Sequence, residues 1–316
     1  MDIKWQALGF TAVVFFSLAL TQVERGGGIF FGTALSPKEG VFREGSDYRQ
    51  AGLASLQAPQ DVRSVPTRNW DILDPDLSAH SALLQSLDES FPFFHRETYV
   101  AWPAASLTKL LTSVIVLEDI GENKKITITE RAVQTEGIAG NLRDGEIYSA
   151  GDLLKIMLLA SSNDAAVAFE DYLGGADEFI RRMNLKAREL QMTNSVFYDA
   201  SGLSDLNTTT ASDMLRLIKY ILLNHSEIFQ WTRIPSFLVQ PVNDSESRLV
   251  YNINPLSGSE DFLGGKTGTS PRALENLVAL FSFGKYRVVL VLLGSDDRAA
   301  EAKRLLEWVH TAYANL

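Results

Sequence analysis

The chain has 316 residues, of which 46% are hydrophobic and 22% charged, a composition typical of a globular protein with a sizeable core. Its formal net charge of −10 and isoelectric point near 5.0 argue against nucleic acid, and against an anionic membrane surface, as the main partner. Cysteine is absent, which excludes disulfides, thiolate metal sites and cysteine catalysis. The histidines show no metal-ligand spacing, so we expect none of them to bind a metal.

The N-terminal part of the chain differs in composition from the rest. Residues 5–23 carry no charge and follow a single lysine, Lys4. A run of this length lies between the core of a signal peptide and a membrane span, which needs about 20 residues. We therefore expect residues 1–25 to be a signal peptide or an N-terminal membrane anchor. Glycines, prolines and mixed charges follow, so 26–75 is predicted to be a flexible linker and 76–316 the folded domain.

The predicted domain begins and ends with strand-like patterns. A β-hairpin is predicted over 81–99, a helix from Ser106 to about Gly121, and a short strand over 125–129. Helical periodicity then occupies the middle of the domain, over residues 152–159, 164–173, 176–190 and 211–224. Two strands joined at Gly284 come next. This order predicts an α/β fold in which a sheet layer packs with a helical lobe.

The chain ends in a helix whose predicted solvent face mixes charges of both signs. These charged residues are Arg298, Glu301, Lys303, Arg304 and Glu307. Mixed signs favour packing on the sheet over binding to lipid.

Ser106 and Lys109 are three residues apart in a mostly apolar stretch. Residues i and i+3 share a face of a helix, so this spacing places the hydroxyl and the amine side by side in the core. A buried lysine loses its proton more readily and can then activate a serine, which is otherwise a poor nucleophile. The same spacing recurs at Ser282 and Lys285, but there it spans a strand and a turn, where i and i+3 do not share a face.

Two further polar stretches stand out. Residues 161–166 follow an apolar helix and by themselves indicate a helix N-cap, where serine and asparagine are preferred. Residues 264–270 are rich in glycine around Lys266 and by themselves indicate a flexible turn with a solvated lysine. A phosphate-binding loop is excluded, because the glycine spacing and the strand-loop-helix order are both missing.

In this order, the motifs Ser-x-x-Lys, Ser-x-Asn and Lys-Thr-Gly are typical of penicillin-binding proteins and class A β-lactamases. From about Leu77 to its end, the chain resembles the D-alanyl-D-alanine carboxypeptidases, the low-molecular-mass penicillin-binding proteins of serine peptidase family S11. The stretches that carry the resemblance are 106–112, 159–166, 197–203, 210–214 and 265–269. The chain departs from the family at Ala273-Leu274, where a small residue or glycine is expected after the alanine. It also shows no counterpart of the extra C-terminal β-domain and amphipathic anchor of some members, so we expect any membrane attachment at the N-terminal segment.

The resemblance implies a fold of the β-lactamase/transpeptidase type. In such a fold an antiparallel sheet flanked by helices meets an all-helical lobe, and the active site lies between them. It further implies that Ser106 attacks the carbonyl between two D-alanines and that Lys109 takes its proton. Burial and the charge of Lys266 would keep Lys109 neutral. Ser161 would relay a proton to the leaving amine, and Asn163 would hold the substrate amide.

The resemblance also assigns the substrate-binding residues. Lys266 would supply positive potential, while Thr267 and Gly268 would line the slot for the terminal carboxylate. The backbone N–H groups of Ser106 and Thr269 would form the oxyanion hole. The expected substrate is a peptidoglycan stem peptide ending in D-Ala-D-Ala, with β-lactam antibiotics as inhibitors, and the implied mechanism needs no metal or cofactor. The expected location is the extracytoplasmic face, with the protein anchored by its N-terminal segment or secreted after cleavage.

Three alternatives share these motifs. A D,D-endopeptidase that cleaves cross-links would use the same residues, and the sequence does not separate it from a carboxypeptidase. A penicillin-sensing or peptidoglycan-binding module without turnover also fits, because slow deacylation leaves no obvious mark in a sequence. A class A β-lactamase is less favoured, since between Asn163 and Lys266 there is no Glu-x-x-Leu-Asn to activate the deacylating water.

Overall fold

The computed structural model describes residues 65–88, 90–137 and 139–316. All of them lie in one unit, which begins at Arg63. The predicted N-terminal signal or anchor, and the linker as far as residue 64, lie outside the described residues and stay predictions. In the part of the chain that the structure describes, no helix combines the length and the apolar character that a membrane crossing requires.

The described residues form thirteen strands and eight α-helices. The strands are β1 (Thr67–Arg68), β2 (Ser81–Ser86), β3 (Pro92–Arg96), β4 (Trp102–Pro103), β5 (Lys125–Thr127), β6 (Ile147–Ser149), β7 (Thr208–Thr209), β8 (Ser236–Val239), β9 (Arg248–Tyr251), β10 (Phe262–Ser270), β11 (Leu274–Phe283), β12 (Tyr286–Ser295) and β13 (Tyr313–Ala314). The helices are α1 (Thr108–Ile115), α2 (Glu130–Val133), α3 (Ala150–Leu159), α4 (Asn163–Tyr172), α5 (Ala176–Glu189), α6 (Ala211–Asn224), α7 (Glu227–Arg233) and α8 (Arg298–Ala312). A 3₁₀ turn over Ala105–Leu107 precedes α1, and a π-helical turn over Val116–Ile120 follows it.

The central sheet has the strand order β10-β11-β12-β2-β3, and every neighbouring pair is antiparallel. The predicted hairpin at the start of the domain is β2–β3, and the predicted strand pair around Gly284 is β11–β12. Successive side chains of a strand point to opposite faces, so the sheet separates two apolar cores. On β12, Val289 and Val291 belong to one core. Leu290 and Leu292 belong to the other, and the predicted α/β architecture is confirmed.

The larger core holds α1 and the helices of the lobe, whereas α8 packs in the smaller core on the opposite face of the sheet. Every residue of α1 is buried, including Lys109. A helix that is enclosed on all sides belongs to the interior of a protein, and its polar groups must find partners there. The fold therefore removes the Lys109 amine from water.

The last residues of the predicted linker pack on the domain. β1 pairs with β13, and Thr67 lies opposite Ala314. The Arg68 guanidinium lies over the Trp308 ring, 4.5 Å from its centroid. The Trp308 indole N–H donates to the Leu73 carbonyl at 2.8 Å. The folded domain thus begins before the predicted boundary. The sequence did not show this, because these contacts join residues that are distant in the chain and leave no local pattern.

Helix α8 differs from its predicted form at two charged positions. The sequence predicts Arg298 and Glu301 on the solvent face, but both are buried. The Glu301 carboxylate accepts hydrogen bonds from the Ser78 hydroxyl at 2.8 Å, the Ala79 backbone N–H at 3.2 Å and the Ser295 hydroxyl at 2.7 Å. A buried charge needs such partners, and here they join the start of the domain to β12.

Candidate active site

Ser106 lies in the 3₁₀ turn between the sheet and the lobe. The preceding residue, Ala105, has a φ of +45°, which disfavours a non-glycine residue by roughly 1–2 kcal/mol. The backbone N–H of Ala104 donates to the Asn207 carbonyl at 2.7 Å. From the sheet side, the buried Asn276 amide donates to the Ala104 carbonyl at 3.1 Å. The strained turn is therefore held from both sides, which fixes the position of the Ser106 hydroxyl.

The Lys109 amine makes three hydrogen bonds on the lobe side of the site. It lies 3.2 Å from Ser106 Oγ and donates to Asn163 Oδ1 at 2.7 Å. A third hydrogen bond, to the Ser201 carbonyl, is 2.5 Å long. Burial lowers the pKa of Lys109 to about 7, while the Asp199 carboxylate acts in the opposite direction. A neutral amine within reach of a hydroxyl is the arrangement of a general base and its nucleophile.

The second motif lies between α3 and α4. The N-cap expected there is Ser162, whose hydroxyl accepts from the Ala165 backbone N–H at 3.2 Å. Ser161 has a φ of +60° and lies outside the helix. The Asn163 side chain donates through Nδ2 to the Glu136 carbonyl at 2.8 Å, while its Oδ1 accepts from the lysine of the first motif. Two partners therefore fix the orientation of this amide.

The glycine-rich stretch is a strand, not the flexible turn that its glycines by themselves indicate. It forms most of β10, the edge strand of the central sheet. A Cβ at Gly265 would lie 2.3 Å from the Val278 carbonyl oxygen, so close pairing with β11 requires glycine. Lys266 is buried rather than solvated. Its amine donates to Ser161 Oγ at 2.9 Å and to the Thr267 carbonyl at 2.8 Å, which joins the sheet to the lobe.

The end of β10 lies against the 3₁₀ turn that holds Ser106. A Cβ at Gly268 would lie 3.1 Å from the Ser106 nitrogen. The predicted site residues are thus close together: Lys109 bonds Ser106 and Asn163, Lys266 bonds Ser161, and Thr267 to Thr269 continue the same strand. The motifs meet where the sheet and the lobe face each other.

Arg298 is a site residue that the sequence did not reveal. It is the first residue of α8, and its guanidinium donates to the carbonyls of Gly268 and Asn276, each at 2.9 Å. It also donates to the Thr269 hydroxyl and pairs with the Glu275 carboxylate at 3.0 Å. No motif marks this arginine, because its role depends on where α8 docks beneath the sheet.

Arg298 changes the electrostatics expected of this strand. Burial lowers the pKa of Lys266, and the charges of Lys109 and Arg298 lower it further. An arginine side chain stays protonated in proteins. The permanent positive charge beside β10 is therefore the guanidinium of Arg298, in addition to whatever charge Lys266 carries.

The loop that contains Asp199 and Ser201 also shapes the surroundings of the Lys109 amine. The Asp199 carboxylate accepts hydrogen bonds from the backbone N–H groups of Ser201 and Ser204, each at 2.7 Å, and of Gly202. A Cβ at Gly202 would lie 2.0 Å from the Ala105 carbonyl oxygen, and its φ is +86°, so only glycine fits there. The sequence identified this stretch by resemblance alone. The structure shows that it carries the Ser201 carbonyl to the Lys109 amine.

The departure from the family at Leu274 has a conformational counterpart. Leu274 has a φ of +54°, in the left-handed region where glycine suffers no steric penalty. The preceding Ala273 is pinned, because its carbonyl accepts from the Trp102 indole at 2.9 Å and its N–H donates to Ser270 Oγ at 3.0 Å. Ser270 in turn donates to Asp205 at 3.0 Å. The turn between β10 and β11 therefore holds a leucine in a strained conformation at the start of β11.

With this geometry, the chain can be compared with known proteins. Over residues 71–297 it matches the family model of D-alanyl-D-alanine carboxypeptidase, peptidase family S11. It is 31% identical over 261 residues to a D-alanyl-D-alanine endopeptidase of Pseudomonas aeruginosa, and the match covers 78% of this chain and 82% of that protein.

Solved structures give the same result. A D-alanyl-D-alanine carboxypeptidase from Mycobacterium tuberculosis H37Rv matches with a TM-score of 0.70 at 26% identity, covering 78% of this chain and 96% of that one. Penicillin-binding protein D2 from Listeria monocytogenes, in its ampicillin-bound form, matches with a TM-score of 0.65 at 27% identity, covering 75% of this chain and 100% of that one. The predicted resemblance and fold are confirmed, and the chain belongs to the D-alanyl-D-alanine carboxypeptidase family of serine peptidases.

Proposed function

We propose that the protein releases the terminal D-alanine from peptidoglycan stem peptides ending in D-Ala-D-Ala, through an acyl-enzyme on Ser106. The observation that carries the proposal is the Lys109 amine, 3.2 Å from Ser106 Oγ and fully buried. Because burial lowers its pKa to about 7, a substantial fraction of this amine is neutral at physiological pH. It can then accept the hydroxyl proton while the oxygen attacks the carbonyl carbon.

The negative charge that develops on the carbonyl oxygen needs two donors. We assign them to the backbone N–H groups of Ser106 and Thr269. The direction of the Thr269 backbone N–H can be inferred from that of Gly265. The Gly265 N–H donates to the Thr232 hydroxyl at 3.0 Å and so points away from β11. The direction of the backbone N–H repeats every two residues along a strand. The Thr269 N–H, four residues after that of Gly265, therefore also points out of the sheet edge. Removal of one such donor typically lowers transition-state stabilisation by about 3 kcal/mol.

The leaving amine needs a proton, and we assign the delivery to Ser161. Its hydroxyl accepts from the Lys266 amine at 2.9 Å, which orients it, and the proton that it gives to the leaving amine is replaced by the one that Lys109 took from Ser106. Cleavage frees D-alanine and leaves the shortened peptide esterified to Ser106. Water then attacks the ester, with Lys109 again as base, and restores the free hydroxyl.

The remaining residues hold the substrate. The side-chain amide of Asn163 can hydrogen-bond the backbone of the substrate peptide. Thr267 and Gly268 line the slot for the terminal carboxylate, which Arg298 supports from behind through the Gly268 carbonyl and the Thr269 hydroxyl. A cation beside donors of this kind is suited to a carboxylate.

The proposal includes a location and inhibitors. Peptidoglycan lies outside the cytoplasm, so the domain acts on the extracytoplasmic face, attached through its N-terminal segment or released after cleavage. β-Lactams are proposed to acylate Ser106, because the Listeria monocytogenes neighbour carries ampicillin and has the same fold.

A D,D-endopeptidase acting on cross-links is a second candidate. The observation that favours it is the Pseudomonas aeruginosa relative, which bears that name and 82% of which is covered by this chain. Both reactions break the bond after a D-alanyl carbonyl, and they differ in the amine that leaves. The two candidates therefore share every catalytic step above.

One experiment tests the proposal and separates the candidates. The purified chain is incubated with a fluorescent penicillin, with a peptide ending in D-Ala-D-Ala and with a cross-linked peptide dimer. Ser106→Ala is compared with Ser282→Ala, which removes the exposed serine of the other Ser-x-x-Lys pair. We expect labelling and D-alanine release in the wild type and in Ser282→Ala, and neither in Ser106→Ala.

Each other outcome has a defined meaning. Cleavage of the dimer without release of D-alanine from the linear peptide would favour the endopeptidase. Labelling without cleavage of either peptide would favour a penicillin sensor, and rapid turnover of the penicillin would favour a β-lactamase. Labelling that persists in Ser106→Ala would remove Ser106 as the nucleophile.

A further inference from the structure

The two ends of β10 face different parts of a substrate. The leaving amine must lie near Ser161, and Ser161 is bonded to Lys266 at the start of the motif. The attacked carbonyl must lie near Ser106, beside Gly268. The acyl part of the substrate, which stays on the serine, therefore extends in the other direction, towards Ser270.

A cavity opens at that end of the strand. It has a volume of about 480 Å³ and is lined by Thr269, Ser270, Pro271, Leu274, Glu275, Ser295 and Asp296. Ser270 is two residues beyond Gly268, which is roughly 7 Å along a strand. An extended peptide advances by about 3.4 Å per residue, so the residue before the acylated D-alanine lies beside Thr269, and its side chain can reach the rest of the lining. Leu274 is the register partner of Ser270 and, with Pro271, gives the lining its apolar surface.

We infer that Leu274 determines specificity by contacting an aliphatic side chain on the substrate residue before the acylated D-alanine. The inference rests on the proposed function, because it presupposes acylation of Ser106. Two independent observations point to it. The Leu274 side chain is 38% exposed at the cavity, so it does not contribute a fully buried core contact. Its backbone is held at a φ of +54°, where glycine would be unstrained.

The strain is maintained by the neighbours of the turn. Ser270 Oγ links Asp205 to the Ala273 N–H, and the Trp102 indole holds the Ala273 carbonyl. A strained residue persists only when its surroundings determine it, and such residues cluster at ligand contacts. Leu274 is 38% exposed and lines the cavity, where a substrate side chain can contact it.

The test uses two acetylated peptides, X-D-Ala-D-Ala, in which X is alanine or norleucine. The measured quantity is the ratio of kcat/KM for norleucine over alanine. We expect the wild type to favour norleucine by about tenfold or more, because a few methylenes in an apolar pocket give discrimination of this size. In Leu274→Gly and Leu274→Asn, both of which suit a positive φ, we expect the ratio to fall towards one. Leu274→Met restores an apolar chain and should recover the preference.

Thermal unfolding separates substrate contact from a structural role. We expect Leu274→Gly to unfold at the same temperature as the wild type or higher, because it removes the left-handed strain. Leu223→Asn, which alters an exposed leucine on α6 outside the cavity lining, should leave the ratio unchanged.

Two results would overturn the inference while leaving the proposed function intact. One is a wild type that cleaves both peptides with a ratio near one. The other is a preference for norleucine that survives in both Leu274→Gly and Leu274→Asn. A wild type that is neither labelled by penicillin nor able to release D-alanine would instead refute the proposed function itself.

Discussion

The site contains two fully buried lysines whose surroundings have opposite charge. Lys109, on the lobe side, lies near the Asp199 carboxylate, which raises its pKa against the effect of burial. Lys266, on the sheet side, lies near Arg298, and this cation adds to the effect of burial. The same amino acid thus experiences a compensating charge in one half of the cleft and a reinforcing charge in the other.

The difference explains how the proposed base, Lys109, would obtain a suitable strength. Burial alone makes an amine neutral but also a weak base, and a base is most efficient when its pKa lies near the operating pH. On the lobe side, the carboxylate of Asp199 limits the decrease, so that the pKa of Lys109 is about 7. On the sheet side, the Arg298 guanidinium keeps a permanent positive charge beside β10, whatever the protonation state of Lys266. The two lysines are therefore not interchangeable.

Removal of the lobe-side amine should have the largest effect. In Lys109→Met we expect the second-order rate constant for acylation by a fluorescent penicillin to fall by about 10²–10⁴-fold, the usual contribution of a general base. Methionine fills a similar space, so the fold should persist. Lys303→Met, on the exposed surface of α8, is the matched control and should acylate at the wild-type rate. A decrease below tenfold in Lys109→Met would assign the base to another group.

Removal of the sheet-side guanidinium should have the next largest effect. In Arg298→Leu we expect kcat/KM for a D-Ala-D-Ala peptide to fall by about 10–100-fold, the equivalent of one or two charged hydrogen bonds. Arg298→Lys keeps the charge but not the forked geometry, so we expect an intermediate value. The pKa of Lys266 should rise in Arg298→Leu, because a neighbouring positive charge has been lost. Equal activity of all three proteins would show that Arg298 is purely structural.

Neutralising Asp199 should move a pH profile more than it changes the maximal rate. Asp199 raises the pKa of Lys109, so Asp199→Asn should lower that pKa and make the amine neutral at lower pH. The acidic limb of the acylation rate, measured from pH 5 to pH 9, should therefore shift to lower pH, by about half a unit or more for a nearby charge.

The control for this shift is Asp213→Asn. Asp213 anchors the same segment, since it accepts from the Asn194 N–H at 2.9 Å and the Ser195 hydroxyl at 2.8 Å. It is not among the charges that act on the pKa of Lys109. A limb that moves equally in both variants, or towards higher pH in Asp199→Asn, would contradict the electrostatic role.

The smallest effect is expected at an ion-pair cluster in the lobe. Glu118 bonds the Lys186 amine at 2.7 Å, the His225 ring at 3.2 Å and the Tyr220 hydroxyl. These side chains are partly exposed, and such pairs contribute little. In Glu118→Gln we expect the free energy of unfolding to fall by about 1 kcal/mol and kcat/KM to stay within twofold of the wild type. A larger kinetic effect would show that this cluster is coupled to the site over a long distance.

The parts of the site that the sequence predicted are local ones. Ser106 and Lys109 meet because a helical turn brings i and i+3 together, and this geometry needs no knowledge of the rest of the fold. The order of the three motifs then indicated the family, and with it the sheet and the lobe. The roles that the family assigns to the site residues are still proposals, to be tested as above.

The parts that the sequence did not predict depend on contacts between distant segments. Arg298 was placed in solvent because a helix period cannot show which charges dock beneath a sheet. The glycines around Lys266 suggest a turn, but the closeness of β11 requires them in a strand. Leu274 was visible as a departure, yet its positive φ arises from hydrogen bonds to Trp102 and Ser270.

The pairing of β1 with β13 has a mechanical consequence. Thr67 lies opposite Ala314, so tension applied to the chain before residue 65 reaches this two-residue pair first. Tyr313 packs in the core on the α8 face, whereas the apolar residues of α1 lie in the core on the other face. A pulling force would thus separate the β1–β13 pair before it reached Ser106, so a load on the preceding chain acts first on this pair and not on the turn that holds Ser106.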